Sequence, residues 1–227
     1  MKKAMMFSML ILITSTMCQA DMKWQSELTV TGKSEEMNRK ETINVFHTGE
    51  MIRIENKDSI IIADFGKEKI YRLNPENKIY QIIDPQNPIY QSESSKKIDE
   101  ILQTVMNSAS LNSTEEHQKI NEIPCQKFTL SIMGSQGDLW IATSLKEFKK
   151  LRAQAVRLAK KSSAASHFLP LAETGAMMGK IEDFVMSSKI TTSMMEVSNR
   201  IESVEIIETL PVEMFVIPDD YVQLKVH

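Results

Sequence analysis

The sequence predicts an α+β fold, mostly antiparallel β, in which a curved sheet carries two amphipathic helices across one side. Three observations lead to it. Five β-rich segments between Thr42 and Ile83 are joined by short runs of turn residues, two later stretches repeat apolar residues at helical spacing, and the chain after residue 180 returns to strands. Parallel strands need a crossover of a dozen or more residues, so connections this short make antiparallel neighbours. Each helix has one apolar face and the sheet needs one face covered, and laying the first on the second satisfies both.

Residues 23–31 alternate like a strand. Ile43 and Val45 then alternate with Thr42, Asn44 and Phe46 before a turn at His47-Thr48-Gly49-Glu50. Ile52 and Ile54 alternate with Arg53 and Glu55 up to Asn56-Lys57-Asp58, and Ile60-Ile61-Ile62-Ala63 runs to Asp64-Phe65-Gly66-Lys67. Ile70-Tyr71-Arg72-Leu73 stops at Asn74-Pro75-Glu76-Asn77, and residues 79–83 close the meander at Asp84-Pro85. Ile98, Ile101, Leu102, Val105, Met106 and Ala109 then draw one stripe on a helix, with Ser94-Ser95 ahead to cap it. Strands are expected at residues 114–120 and 126–133, a hairpin turn at 134–137, and a further strand at 138–142. The second helix spans 146–161, with Phe148, Leu151, Ala155 and Leu158 on one side and Lys149, Lys150, Arg152, Arg157, Lys160 and Lys161 on the other. Residues 162–179 read as a loop or broken helix, and strands follow at 180–188, 190–197 and 201–208. Leu210-Pro211 and residues 217–221 read as turns that fasten the C-terminus. No repeat of fixed period and no Gly/Ser linker divides the chain.

The N-terminus reads as an export signal. Met1-Lys2-Lys3-Ala4 is cationic, residues 5–17 are mostly apolar, and Cys18-Gln19-Ala20-Asp21 offers small residues at the exit. Cleavage after Ala20 leaves residues 21–227 as one domain. The apolar part falls short of the roughly 20 residues that cross a bilayer, which disfavours an uncleaved anchor. Lipidation at Cys18 is disfavoured by the bulky Met17 before it. Removing Lys2 and Lys3 from 27 basic residues leaves 25 against 30 acidic ones, a net charge of −5. A mildly acidic domain is a poor electrostatic match for nucleic acid, and no nucleic-acid partner is expected. Cys125 is the one thiol left after cleavage, so packing and not an internal disulfide holds the domain, and the residue reads as a small buried hydrophobe.

Catalytic constellations are absent from the sequence. There is no Gly-rich phosphate loop and no Gly-x-Ser-x-Gly elbow, and His47, His117, His167 and His227 are scattered without metal-ligand spacing. Glu115-Glu116-His117 does not converge, because successive strand residues point to opposite faces. Adjacent methionines such as Met177-Met178 and Met194-Met195 diverge for the same reason, which favours adaptable apolar lining over a copper site. The basic side of the second helix reads as a solvated face.

Several motifs together resemble a known group. Met51-Ile52-Arg53-Ile54-Glu55, Ile60-Ile61-Ile62-Ala63-Asp64, Ile70 to Pro75 and Lys78-Ile79-Tyr80-Gln81 are similar to the central meander of the periplasmic lipoprotein-carrier (LolA-like) superfamily. Pro124-Cys125-Gln126-Lys127-Phe128, Leu139-Trp140-Ile141-Ala142 and the closing Leu210, Pro211, Phe215, Ile217, Pro218 and Tyr221 resemble an uncharacterised bacterial envelope branch of it, a DUF4412-type domain of unknown function. The resemblance implies a half-barrel of antiparallel strands with helices on an apolar concave face that shields acyl chains. Thr48-Gly49-Glu50 stands where the carrier has an arginine near the hairpin tip, and the carrier's N-terminal helix is replaced by a strand-like stretch. Apolar-ligand or partner binding, not lipoprotein transfer itself, is what the likeness implies here.

The expected function is that of a soluble, monomeric periplasmic binding protein holding a lipid, acylated or other hydrophobic ligand between sheet and helices, without cofactor, metal or enzymatic activity. The candidate lining is Ile52, Ile54, Ile61, Tyr71, Ile79, Trp140, Leu151 and Leu158. The alternative is an envelope protein-interaction module with a filled core, serving as a stress sensor or assembly adaptor.

Overall fold

The computed structural model describes residues 20–84, 104, 108–142, 144, 145, 148, 149, 151, 153, 154, 181 and 183–224. Twelve strands form one open, curved sheet. They are β1 (Asp21–Gly32), β2 (Arg39–His47), β3 (Met51–Glu55), β4 (Ile60–Asp64), β5 (Lys69–Asn74), β6 (Ile79–Ile83), β7 (Ser110–Ile120), β8 (Ile123–Ile132), β9 (Ser135–Ala142), β10 (Phe184–Thr191), β11 (Met195–Ile207) and β12 (Val222–Gln223). Their order across the sheet is β12-β6-β5-β4-β3-β2-β1-β11-β10-β9-β8-β7, and every pairing except β12 with β6 is antiparallel. Two meanders, β1 to β6 and β7 to β11, therefore meet where β1 lies against β11.

The first meander follows its turn chemistry. The Asn56 carboxamide accepts from the Asp58 and Ser59 amides, and Asp64 and Asn74 do the same for Lys67 and Asn77. These side chains satisfy turn amides that the ladder leaves over, which is why Asn and Asp stand at those corners. With the corners fixed, register is fixed, and Met22, His47, Ile52, Ala63, Ile70 and Ile83 come directly opposite one another on six adjacent strands. All six are at most 1% exposed. Alternation puts the apolar row on one face at no cost in backbone pairing.

β2, β7 and β8 begin at Arg39, Ser110 and Ile123, ahead of the expected 42, 114 and 126, and two turns also differ from the sequence expectation. The β8–β9 turn is Met133-Gly134, not residues 134–137; both residues have positive φ, 45° and 83°. A two-residue turn of that geometry matches the twist of the flanking strands. It releases Gly137 into β9, where an added Cβ would stand 2.8 Å from the Lys189 carbonyl oxygen, so glycine serves close strand approach there. The second difference is at 180–208, where two strands stand in place of three. Thr192 caps the turn, accepting from the Met194 and Met195 amides, and β11 runs unbroken through Ser198-Asn199-Arg200 because β1 pairs with it along that stretch.

The expected helices fall mostly on residues outside those described, including Ile98, Ile101, Leu102, Val105, Met106, Ala155 and Leu158, as does the 162–179 segment. Helical backbone is present at Thr104 and Ser108 and at Phe148, Lys149, Leu151, Ala153 and Gln154. Leu145, Phe148 and Leu151 belong to the main core together with Met22, Trp24, Ile52 and Phe184. Phe184 lies edge-to-face with Trp24 at 5.4 Å and with Phe148 at 4.6 Å between ring centroids. After β11 the chain crosses the other side of the first meander. The Leu210 amide donates to buried Asp21 at 2.6 Å, Arg53 donates to the Met214 carbonyl at 2.5 Å, and Phe215 is buried.

Phe184→Ala removes the ring that joins β10 to Trp24 and Phe148, and it is expected to cost about 3–5 kcal/mol of unfolding free energy in a urea titration. Gly32→Ala is expected to destabilise by about 1–3 kcal/mol, because the new Cβ would meet the Met37 Cβ at 2.4 Å.

Candidate binding face

The strongest concentration of apolar side chains is the face of the first meander that carries the buried row. Beside that row runs a second one, Trp24, Val45, Ile54 and Ile61, continuing into Arg72 and Gln81 at the β5–β6 edge. Trp24, Val45 and Ile54 are buried like the first row, and exposure begins at Ile61 on β4 and Arg72 on β5. Ile43, Ile61, Ile123, Trp140 and Val204 pack against the core cluster while staying partly exposed.

The residues singled out by the sequence distribute as follows. Ile52, Ile54 and Leu151 lie within the buried cluster, and Ile61 and Trp140 sit at its margin. Ile79 is half-buried on β6, next to the β12 pairing. Tyr71 pairs with Ile62 on β4, so it occupies the opposite side from Ile61 and Ala63; Ile70 takes the inner position. Leu158 lies outside the described residues. Sequence reasoning passed over Trp24, Phe184 and Met186, which are central to the cluster. Trp24 could have been found from the strand-like alternation of 23–31, whereas Phe184 and Met186 straddle a register shift in β10 that alternation does not reveal.

The second meander carries chemistry on both of its sides. Leu130, Leu139, Ile141 and Val185 form a separate apolar cluster with Ala109 and Ile181. The other side changes character along the strands. Ser131, Gln136 and Thr191 align first, then Thr129, Asp138 and Lys189, then Lys127, Trp140 and Ser187, and last Cys125, Ala142 and Phe184 inside the main core. The polar end is a trough of about 500 Å³. Lys127, its side chain 19% exposed, lies 3.2 Å from Glu116 and 3.4 Å from Asp138. The Glu116 carboxylate raises the Lys127 ammonium above its ordinary pKa, partial burial works against this, and Asp138 adds to the rise. Cys125 is 2% exposed, and burial pushes its thiol up from the ordinary value.

Among the described residues no group of three His, Cys, Asp or Glu side chains could hold a metal ion. No helix among them is long and apolar enough to cross a membrane. What the arrangement offers chemically is apolar surface graded into hydrogen-bonding surface.

Fold and face together define an open antiparallel sheet protein with an accessible apolar margin. Residues 10–221 match the family described as a domain of unknown function (DUF4412), and the chain belongs to that family. No curated protein matches the sequence. Among solved structures it is similar to MucB in complex with MucA(peri), at 7% identity and TM-score 0.44, covering 92% of this chain and 58% of that one. It is similar to PNGF-II at 10% identity and TM-score 0.42, covering 90% of this chain and 31% of that chain. A third likeness is to a putative outer membrane lipoprotein-sorting protein domain from Vibrio parahaemolyticus, at 11% identity and TM-score 0.33, covering 87% and 89% of the two chains. The chain thus spans less than two thirds of PNGF-II and of MucB.

Thiol chemistry checks the placement of Cys125. A raised folded-state pKa stabilises the protein while the thiol stays protonated, and that contribution is lost as pH rises above the ordinary 9.0. Iodoacetamide labelling at pH 8 is expected to be at least about tenfold slower in the folded protein than in urea, and Cys125→Ala should remove the part of the alkaline loss of stability that sets in above pH 9.0.

Proposed function

We propose that the protein is an exported binding module, cleaved after Ala20, that holds a lipid, acylated or other hydrophobic ligand on the apolar side of its sheet in the periplasm. In this reading the amphipathic stretches ending at Ala109 and spanning 146–161 lie as helices across the concave face, as in the carrier-like half-barrel. The observation that supports it best is the margin of partly exposed Ile43, Ile61, Trp140 and Val204 against a sealed core. Apolar groups there leave water when an acyl chain covers them, at about 25 cal/mol for each Å² buried. No bond is made or broken, so the module is a binder and not an enzyme.

A filled-core interaction module is the second reading, and the Trp24–Phe184–Phe148 packing favours it because those rings occupy the middle of the face. Its expected signature is one dominant protein cross-link in cells and no lipid.

Native mass spectrometry of the protein purified from its own envelope is expected to show a co-purifying lipid, with uptake of a fluorescent fatty acid after delipidation. Ile61→Ala is expected to weaken that uptake by about 4–15-fold, the worth of one to two buried methylenes. A lipid-free protein that takes up no fatty acid contradicts the reading.

A further inference from the structure

We propose that the trough across β8, β9 and β10 is the headgroup end of this binding face, and that it selects amphiphiles whose headgroup presents an ammonium or hydroxyl donor over those presenting a bare anion. The inference rests on the apolar-ligand reading above and specifies its ligand class.

The two-residue turn at Met133-Gly134 fixes β8 against β9 without a bulge, so alternate residues of both strands form one continuous side. Along that side the chain changes from Thr129 and Asp138, through Lys127 and Trp140, to Cys125 and Ala142. The change takes place over about four residues of each strand, roughly 13 Å at 3.3 Å per residue. The opposite side of the same strands is already closed by its own apolar cluster. The polar end is an open trough of about 500 Å³. An amphiphile has the same polarity profile at the same scale: a headgroup, then a chain.

Trp140 stands at the change-over, partly exposed and against the core cluster. Indole prefers such a boundary, because its ring is apolar and its N–H needs a polar neighbour.

Charge decides which headgroup fits. Lys189 lines the trough and is engaged by Glu196 at 3.0 Å, while Lys127, one row further along, is shared by Glu116 and Asp138. Two carboxylates on one ammonium leave this corner with one negative charge in excess. Glu116 and Asp138 keep 60% and 49% of their side chains exposed, so their oxygens remain open to an incoming donor. An ammonium headgroup would meet a surplus of acceptors, whereas a phosphate or carboxylate alone would meet a net negative rim and have to displace a carboxylate from its lysine. Thr129 and Gln136 add neutral hydrogen-bonding groups that suit hydroxyls and do not restore positive charge.

The test compares lysophosphatidylethanolamine with lysophosphatidic acid of equal acyl length, by calorimetric titration of the delipidated full-length mature protein. The ethanolamine lipid is expected to bind about tenfold more tightly, the size of one charge-assisted hydrogen bond. Asp138→Asn should erase most of that preference while the urea midpoint moves no more than for an ordinary exposed ion pair. Equal affinity for the two lipids, or a preference untouched by Asp138→Asn, overturns the headgroup assignment while the apolar reading stands. Failure of both lipids and of the fatty acid to bind overturns both together.

Discussion

The β1–β11 ladder is the constraint on which the rest of the sheet depends. β1 pairs along its whole length with β11, from Asp21 opposite Ile207 to Gly32 opposite Met195, and along its other edge with β2. The other antiparallel neighbours in the sheet follow one another in the chain, so this ladder alone joins the first meander to the second. Such distant pairing bears a loop-closure entropy that local hairpins avoid. It is compensated by long strands, by the Trp24–Phe184 contact across the seam, and by the buried Asp21 carboxylate that takes the Leu210 amide and ties the chain beyond β11 back to the start of β1. If the ladder failed, two small half-sheets with incomplete cores would remain, and sheets of that size are poorly stable on their own.

That joining also explains the uneven use of the two sides. In the first meander the inner row is sealed and the outer side is crossed by the segment that includes Leu210 and Phe215. In the second meander one side is closed by its own cluster, and the other needs apolar residues only where it reaches the shared core at Cys125, Ala142 and Phe184. Farther along the strands the same side is free of packing duty. Thr129, Asp138 and Lys189 can be polar there without weakening the fold, so one sheet carries both a core and a polar surface.

Much of this was legible in the sequence where local chemistry decides structure. Asn56, Asp64 and Asn74 mark the corners of the first meander, and Ile52, Ile54 and Ile61 follow from alternation between them. Tyr71 did not follow, because alternation names two faces without saying which is inner; the pairing of Ile70 with Ala63 and Ile83 settles that. Ser198-Asn199-Arg200 has turn-like composition yet lies in β11, since the partner strand overrides local preference. Phe184 and Met186 were hidden by the register shift between Val185 and Ser187. The trough was not legible as a site because Lys127, Asp138 and Lys189 come from three strands, and only the Met133-Gly134 turn geometry aligns the first two.

Native-state hydrogen exchange followed residue by residue tests the central claim, that the two meanders are one cooperative sheet through β1 and β11. The amides of β1 and β11 should be among the most protected, and β3 to β5 should open in the same global event as β8 to β10. Independent opening of the two halves, with fast exchange along β1, would contradict it.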